Sequence, residues 1–500
     1  MGVIRRQGIK NTITGYLGIF IGFVNLIVIQ PYFLTKEELG LTRILYSFAL
    51  LVAMFVPMGI GNATIKYFPL FKDEAKKNHG YFGFMNIFPL IGFAISAFVI
   101  FILKDFILNQ YRTESPLFLE FFDYIFPLIF FNSFIAVLSV YCNANYKSTI
   151  PSFINDVGVR LLTIAVVSIY FLKYLTLDQF IFAFVAIYAI QLILLLVYIF
   201  SFDRPSFKID WSSFREKKMF DLIRYGLLLW FAGVASIGLK YFDSIMIGKY
   251  MPLSFVGIYT VAAFIPSVIE APLNAFDRIA SAKISFAWNA GDKNQIFEIY
   301  HKSSLYMFLL GGFLFLNVNV NIHTLLTFLP QGFQEGEIIV LIISMGTLFN
   351  MATGLNAPIL FTSEKFRYGA FYLITLAIVL LGFQMLFIPL YGLAGAAIAT
   401  TGASMIYNIM LFITVYKFFN LQPFDRKNLF VLLIIVLIYI ALFFIPHLEN
   451  RILDIVVRTS IVSITYFIAV YFAKIVPEFH QYLPWDTNYS YFWRNKQGKK

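Results

Sequence analysis

Six charged side chains stand inside stretches that are otherwise almost wholly apolar, and these are the positions at which the chain could do chemistry. Arg43 lies just inside the outer end of a second such stretch, Asp156 and Arg160 near the inner end of a fifth, Lys240 and Asp243 in the outer part of a seventh, and Glu270 well within an eighth. A charge at the centre of a bilayer costs roughly 3 kcal/mol on insertion scales unless it faces a partner or water. Spacing decides which of the six can neutralise one another. Lys240 and Asp243, three apart, share a helical face and can pair; the alternative makes Asp243 a gate or a proton or sodium site and Lys240 a contact for an anionic group. Asp156 and Arg160, four apart, can pair in the same way, and Arg160 has the reach to extend toward the inner interface. Glu270 has no basic residue three or four positions away on its own helix, which suits it to taking up and releasing a proton, unless a residue such as Arg160 reaches it from another helix. Arg43 is placed either to anchor its helix at the interface or to line a cavity.

The elements that must position these groups are membrane spans. About fourteen apolar stretches of roughly 20 to 25 residues begin near Thr12, Leu41, Tyr81, Phe121, Phe153, Gln179, Ile223, Val256, Tyr300, Ile338, Ala370, Leu393, Leu429 and Ile455. With 60% hydrophobic residues, 13% charged residues and a mean hydropathy of +0.78, the chain lies far outside the range of soluble domains. With the N-terminus in the cytoplasm, inner segments collect about 28 of the 38 Lys and Arg and outer loops about 7, a positive-inside bias that explains most of the net charge of +11. Clusters such as Lys72, Lys76 and Lys77, then Arg215, Lys217 and Lys218, belong to that bias, so nucleic-acid binding needs no separate hypothesis. Arg5, Arg6 and Lys10 precede an apolar run too long for a signal peptide and lacking an A-x-A site, which reads as an uncleaved first helix.

Several chemistries find no support. The single cysteine, Cys142, falls inside a span; no CxxC or Cys/His metal spacing exists; and no GxxxxGK[ST] phosphate loop is present, so no cofactor, metal or ATP hydrolysis is expected. Asn317, Asn319 and Asn321, alternating near the outer end of the ninth span with His323 beyond, fall on different faces and read as a polar helix end. The loops are too short to hold a soluble catalytic domain. Function must reside in or at the edge of the bilayer, which points to transport.

The longest inner connection, from about Phe202 to Leu222, divides six spans from the rest and reads as a solvated basic tether, with an amphipathic membrane-surface segment as the alternative. Sliding the chain by about 217 residues lays Leu39-Gly40-Leu41 over Val256-Gly257-Ile258, a short internal repeat where a second bundle should begin. The expected organisation is an N-terminal six-helix bundle over 1–201, a cytoplasmic linker over 202–222, a second six-helix bundle over 223–417, two extra transmembrane helices over 418–476 and a basic cytoplasmic tail over 477–500.

Tyr241-Phe-Asp243-Ser-Ile-Met-Ile-Gly248 followed by Val256-Gly257-Ile258-Tyr259-Thr-Val-Ala262 resembles the start of the second bundle in polysaccharide flippases of the multidrug/oligosaccharidyl-lipid/polysaccharide (MOP) exporter superfamily. Pro389-Leu-Tyr-Gly392-Leu-Ala-Gly395-Ala-Ala-Ile-Ala-Thr400 resembles the small-residue hinge between that family's eleventh and twelfth helices. The resemblance implies an all-α polytopic membrane protein with two six-helix bundles in a V, MATE-like, plus two C-terminal helices. It implies no enzyme activity, but alternating access that carries a polyprenyl-diphosphate-linked oligosaccharide, of O-antigen, capsule or exopolysaccharide type, to the outer leaflet of a bacterial inner (plasma) membrane. Arg43, Arg160, Lys240, Asp243 and Glu270 become candidates for substrate binding or for H+ or Na+ coupling. Membrane lipids, and a polymerase or glycosyltransferase of the same pathway, become expected partners. A multidrug cation exporter of the same superfamily would favour acidic cavity residues over these basic ones, and a membrane polymerase or glycosyltransferase would need a larger outer loop than the one near Lys104 to Glu120.

Overall fold

The computed structural model describes residues 2–73, 75–216 and 219–475. Lys217, Lys218 and the tail expected over 477–500 lie outside the described residues, as do the side chains of Lys240 and Arg278. Among the described residues every regular element is a helix, the arrangement that satisfies each backbone N–H and C=O internally when no water is at hand. Nine of these helices are long and apolar enough to cross a membrane, ten if one bent pair is counted as a span. The fold class expected from the sequence, an all-α polytopic membrane protein, is therefore the one observed.

The helices gather into two compact units. Unit 1 comprises Met1–Val261 with Ala377–Ala399. Its main helices are α1 (Gly2–Phe23), α2 (Lys36–Ala53), α3 (Ile60–Phe71), α4 (Tyr81–Tyr111), α5 (Ile125–Ala144), α6 (Val159–Phe171), α7 (Leu177–Phe202), α8 (Met219–Tyr250) and most of α9 (Leu253–Phe264). Thr35 starts α2 by accepting from the Glu38 amide while the Glu38 carboxylate accepts from the Thr35 amide, a capping box that fixes where the helix turns back into the bundle. The inner face of α2 then packs against α5 and α8 through the fully buried Leu39, Leu41, Ile44 and Leu45. Phe98, Phe101, Ile102 and Phe106 of α4 stay exposed, as a lipid-facing surface requires.

The internal repeat is visible as a contact. A Cβ on Gly40 would lie 1.9 Å from the Leu253 carbonyl oxygen, and a Cβ on Gly257 would lie 2.3 Å from the Lys36 carbonyl oxygen. Residues 36 and 253, like 40 and 257, are 217 apart, so the two close approaches join positions related by the offset of the sequence repeat. Only glycine allows that backbone approach, and the Tyr111 and Ser115 hydroxyls bind the Ile245 and Gly248 carbonyls at the same end of the unit.

Unit 2 comprises Ala262–Leu376 and the chain from Thr400 onward. It contains α10 (Ser267–Asn289), α11 (Lys293–Thr327), α12 (Glu337–Thr353), parts of α13 (Phe366–Phe419), α14 (Arg426–Phe443) and α15 (Arg451–Phe472). The 35-residue α11 is its centre, packed against α10, α12, α14 and α15 over a core that includes Leu316, Met351, Val431, Ile435 and Val462. At 54 residues α13 would be about 80 Å long if straight. Instead it breaks at Gly392, whose φ of 58° suits a residue without a side chain. A Cβ on Gly395 would lie 1.9 Å from the Phe387 carbonyl oxygen, so the chain folds sharply there, at the small-residue segment singled out in the sequence.

The Phe202–Leu222 connection differs from the solvated tether expected. Phe214 is fully buried against Phe71, Tyr81 and Phe84, the Gly83 amide donates to the Ser206 carbonyl, and the Asp210 amide donates to the His79 carbonyl. The aromatic residues of the segment supply apolar area that its basic residues cannot, and burying one Phe side chain is worth about 2 kcal/mol. The Asp210 carboxylate accepts from the Ser212 and Ser213 hydroxyls and faces His79 at 3.2 Å. Those hydrogen bonds, Ser212's first, hold its carboxyl well below the usual carboxylate range.

Candidate functional site

Unit 1 gathers two half-buried arginines into one polar cluster. Arg160 extends from α6 along α1, where Gly18 and Gly22 form a groove for it: a Cβ on Gly22 would meet Arg160 Cζ at 2.8 Å, and one on Gly18 would meet Nη1 at 3.1 Å. A spacing of four puts both glycines on one face of α1. Beside this contact each partner helix carries a π-helical turn, Val24–Ile29 after α1 and Ile154–Gly158 before α6. Such turns re-aim neighbouring side chains and recur at functional sites. Here they present Asn25 and Asp156.

Arg43 reaches the same region from α2. Its Nη2 donates to Gln30 Oε1 at 2.9 Å, and Gln30 Nε2 donates to Asn25 Oδ1 at 3.2 Å. The two guanidinium groups lie within electrostatic reach of each other, and Asp156 within reach of Arg160. Arg43 Nε and Arg160 Nη1 are buried without a hydrogen bond. Aromatic hydroxyl-bearing rings complete the wall: Tyr46 stacks on Tyr188 at 5.2 Å between centroids and meets Tyr241 edge-on at 6.5 Å. What results is a polar cluster of two guanidinium groups and one carboxylate, in which one nitrogen of each guanidinium is left to donate to an acceptor such as an anion's oxygen.

The other candidates stand elsewhere. Asp243 on α8 accepts from the Tyr259 hydroxyl at 2.8 Å and from Gln384 Nε2, tying α9 and the Ala377–Ala399 segment of α13 to α8 within unit 1. The fully buried Gln384 retains an Oε1 without a partner. Lys240 backbone is helical, but its side chain is outside the description, so its pairing with Asp243 is not defined. Glu270 occupies the first turn of α10 in unit 2, just after the bend that separates α9 from α10, at the end of the helix whose dipole favours a carboxylate. It is half-buried with no ion pair among the described side chains, and Asp277, seven residues on, shares its face.

Sequence reasoning missed a second charged cluster, in unit 2. Asp454 and Arg458 on α15 are 1% and 3% exposed and form an ion pair at 3.0 Å. Asp454 also accepts from Thr324, from the Leu448 amide at 3.0 Å and from His447 Nδ1 at 3.1 Å, while Arg458 Nη2 donates to the Ile445 carbonyl at 2.7 Å. The spacing of four was available as a signal, but the span was drawn from Ile455, which left Asp454 outside it. Gly18, Gly22, Gln30 and Asn25 gave no signal, because their role depends on which helix lies alongside. The three asparagines of α11 each donate Nδ2 to the carbonyl four residues earlier, at 2.8 to 2.9 Å, as a polar helix end would.

A family model described as polysaccharide biosynthesis protein matches residues 4–277, more than half of the chain and the whole Arg43–Arg160 pocket. The chain belongs to that family. Its long apolar helices make it a multi-pass membrane protein. It is 23% identical to the uncharacterized membrane protein MJ1068 of Methanocaldococcus jannaschii over 475 residues, 88% of this chain and 90% of that one. Its fold is similar to that of the lipid II flippase MurJ in an inward closed conformation, with a TM-score of 0.73 and 14% identity over 94% of this chain and 98% of that one. It is also similar to an inward-facing multidrug resistance MATE family transporter, with a TM-score of 0.61 and 14% identity over 79% and 93% of the two chains. The fold of this family member is thus MATE-like.

Proposed function

We propose that this family member is a flippase that moves a polyprenyl-diphosphate-linked oligosaccharide from the cytoplasmic to the outer leaflet of the plasma membrane, the inner membrane of a bacterium, for surface polysaccharide synthesis. The observation that supports this reading is the Arg43–Arg160 pocket. Two like charges held together, each with a buried donor unused, cost about 1 to 3 kcal/mol per unmet group, and a diphosphate offsets that cost by accepting from both. Sugar hydroxyls and ring faces find partners in Gln30, Tyr46, Tyr188 and Tyr241, while the lipid tail stays in the bilayer. In this reading alternating access is driven by H+ or Na+, with Asp243 and Glu270 as coupling groups and Lys240 as a further contact for the anionic headgroup. A polymerase or glycosyltransferase of the same pathway works beside it, and both termini lie in the cytoplasm.

Leaflet-resolved labelling of lipid-linked oligosaccharide in cells with and without the protein tests the reading. Repeat units trapped on the cytoplasmic side in its absence support it. An unchanged leaflet distribution together with raised sensitivity to cationic drugs replaces it with a multidrug exporter of the same superfamily.

A further inference from the structure

Unit 2 holds a cavity of about 300 Å³ remote in sequence from the Arg43–Arg160 pocket. Its polar lining is Asn319 and His323 of α11, Glu337 of α12, Tyr439 of α14, His447 of the α14–α15 loop and Arg458 of α15. Asn319 is 6% exposed; its Nδ2 is taken by the Phe315 carbonyl at 2.9 Å, while Oδ1 is buried without a hydrogen bond. An orphaned acceptor in a cavity wall asks for a donor from a ligand. The two histidine rings lie 4.9 Å apart, and each has Nδ1 against a carboxylate, His323 on Glu337 and His447 on Asp454, both at 3.1 Å. That leaves Nε2 of each ring for a ligand.

The charges around the cavity argue against an anion. Arg458 is neutralised by Asp454, and Glu337 adds a carboxylate, so the positive excess that a phosphate needs is missing. What remains is a mixed set of acceptors and donors beside apolar walls from Phe444, Leu442 and the Tyr439 ring. A ligand rich in neutral hydroxyls matches such a set, since each hydroxyl both donates and accepts and the C–H face of a sugar ring packs on apolar side chains. We propose that this cavity is a second ligand site, which binds a neutral saccharide of about one or two rings. Resting on the flippase reading, the site receives the sugar of the transported lipid at the end of the helices where residues 444–450 lie, the outer end in the charge-based topology.

Full-length protein in detergent micelles, titrated with glucose, galactose, mannose, rhamnose and N-acetylglucosamine and separately with inorganic phosphate, tests the site by saturation-transfer NMR and calorimetry. At least one neutral sugar is expected to bind, and Asn319→Leu and Glu337→Gln are each expected to weaken it about tenfold, the loss of one well-made hydrogen bond. Thermal unfolding checks that the variants fold; Glu337 is half-exposed and its variant decides alone if Asn319→Leu does not. The proposal is overturned if none of the five sugars binds, if binding survives both substitutions, or if phosphate occupies the cavity instead. Failure of the flippase reading shows only in leaflet labelling, so the two can fail separately.

Discussion

Both units bury arginine, and they treat it in opposite ways. In unit 2 Arg458 meets a carboxylate and a backbone carbonyl, and that carboxylate, Asp454, collects three further donors. In unit 1 Arg43 donates to Gln30 and Arg160 lies within reach of Asp156, yet Arg43 Nε and Arg160 Nη1 are buried without a hydrogen bond. A buried ion pair with every group satisfied holds helices in register. A buried cation with donors unmet is a cost the fold alone does not require, and such a cost is sustained where a ligand relieves it. On the proposed function, the contrast is that between a structural arginine and a ligand-binding one.

Substitution is the way to break that contrast. Asp454→Ala, which strands a charge 3% exposed, is expected to lower the stability of unit 2 by about 3 to 5 kcal/mol, read as a large drop in Tm in detergent, whereas the double replacement Asp454→Leu with Arg458→Met restores most of it. Arg160→Gln is expected to do the reverse, leaving Tm within about 2 to 4 °C while lowering the rate of leaflet transfer at least roughly tenfold. Gly40→Ala drives a Cβ into the Leu253 backbone and is expected to cost about 1 to 3 kcal/mol; Gly22→Ala meets only the movable Arg160 side chain, so it is expected to cost less in Tm and more in transfer. The smallest effect concerns the docked linker. The Asp210 carboxyl, depressed by its hydroxyl and His79 contacts, contributes stability that is present above the unfolded Asp value of about 4 and is lost as pH falls through the folded one. Proteolysis of residues 206–216 is therefore expected to be slow and flat from neutral pH down to about 4, and to rise only in stronger acid.

The membrane class, the helical fold and the repeat were legible in the sequence because each rests on local pattern: apolar runs long enough to span, charges on alternate loops, and Gly40 and Gly257 at equivalent offsets. The pocket was legible in half. Arg43 and Arg160 announce themselves as charges in apolar surroundings, but Gly18 and Gly22 matter only because α6 lies along α1, a pairing that no periodicity encodes. The linker was misjudged because its charge was weighed above Phe214, whose partners Phe71, Tyr81 and Phe84 lie far back in the chain. Asp454 escaped notice because a boundary was set one residue too late.

The central claim is that the Arg43 and Arg160 guanidinium groups of unit 1 carry the lipid-linked anion. Leaflet-resolved labelling in cells that express the Arg43→Gln, Arg160→Gln double variant at wild-type levels tests it most directly, with the unsubstituted protein as the comparison. The account predicts repeat units trapped on the cytoplasmic side in the first and normal distribution in the second. Normal distribution in the first would contradict it.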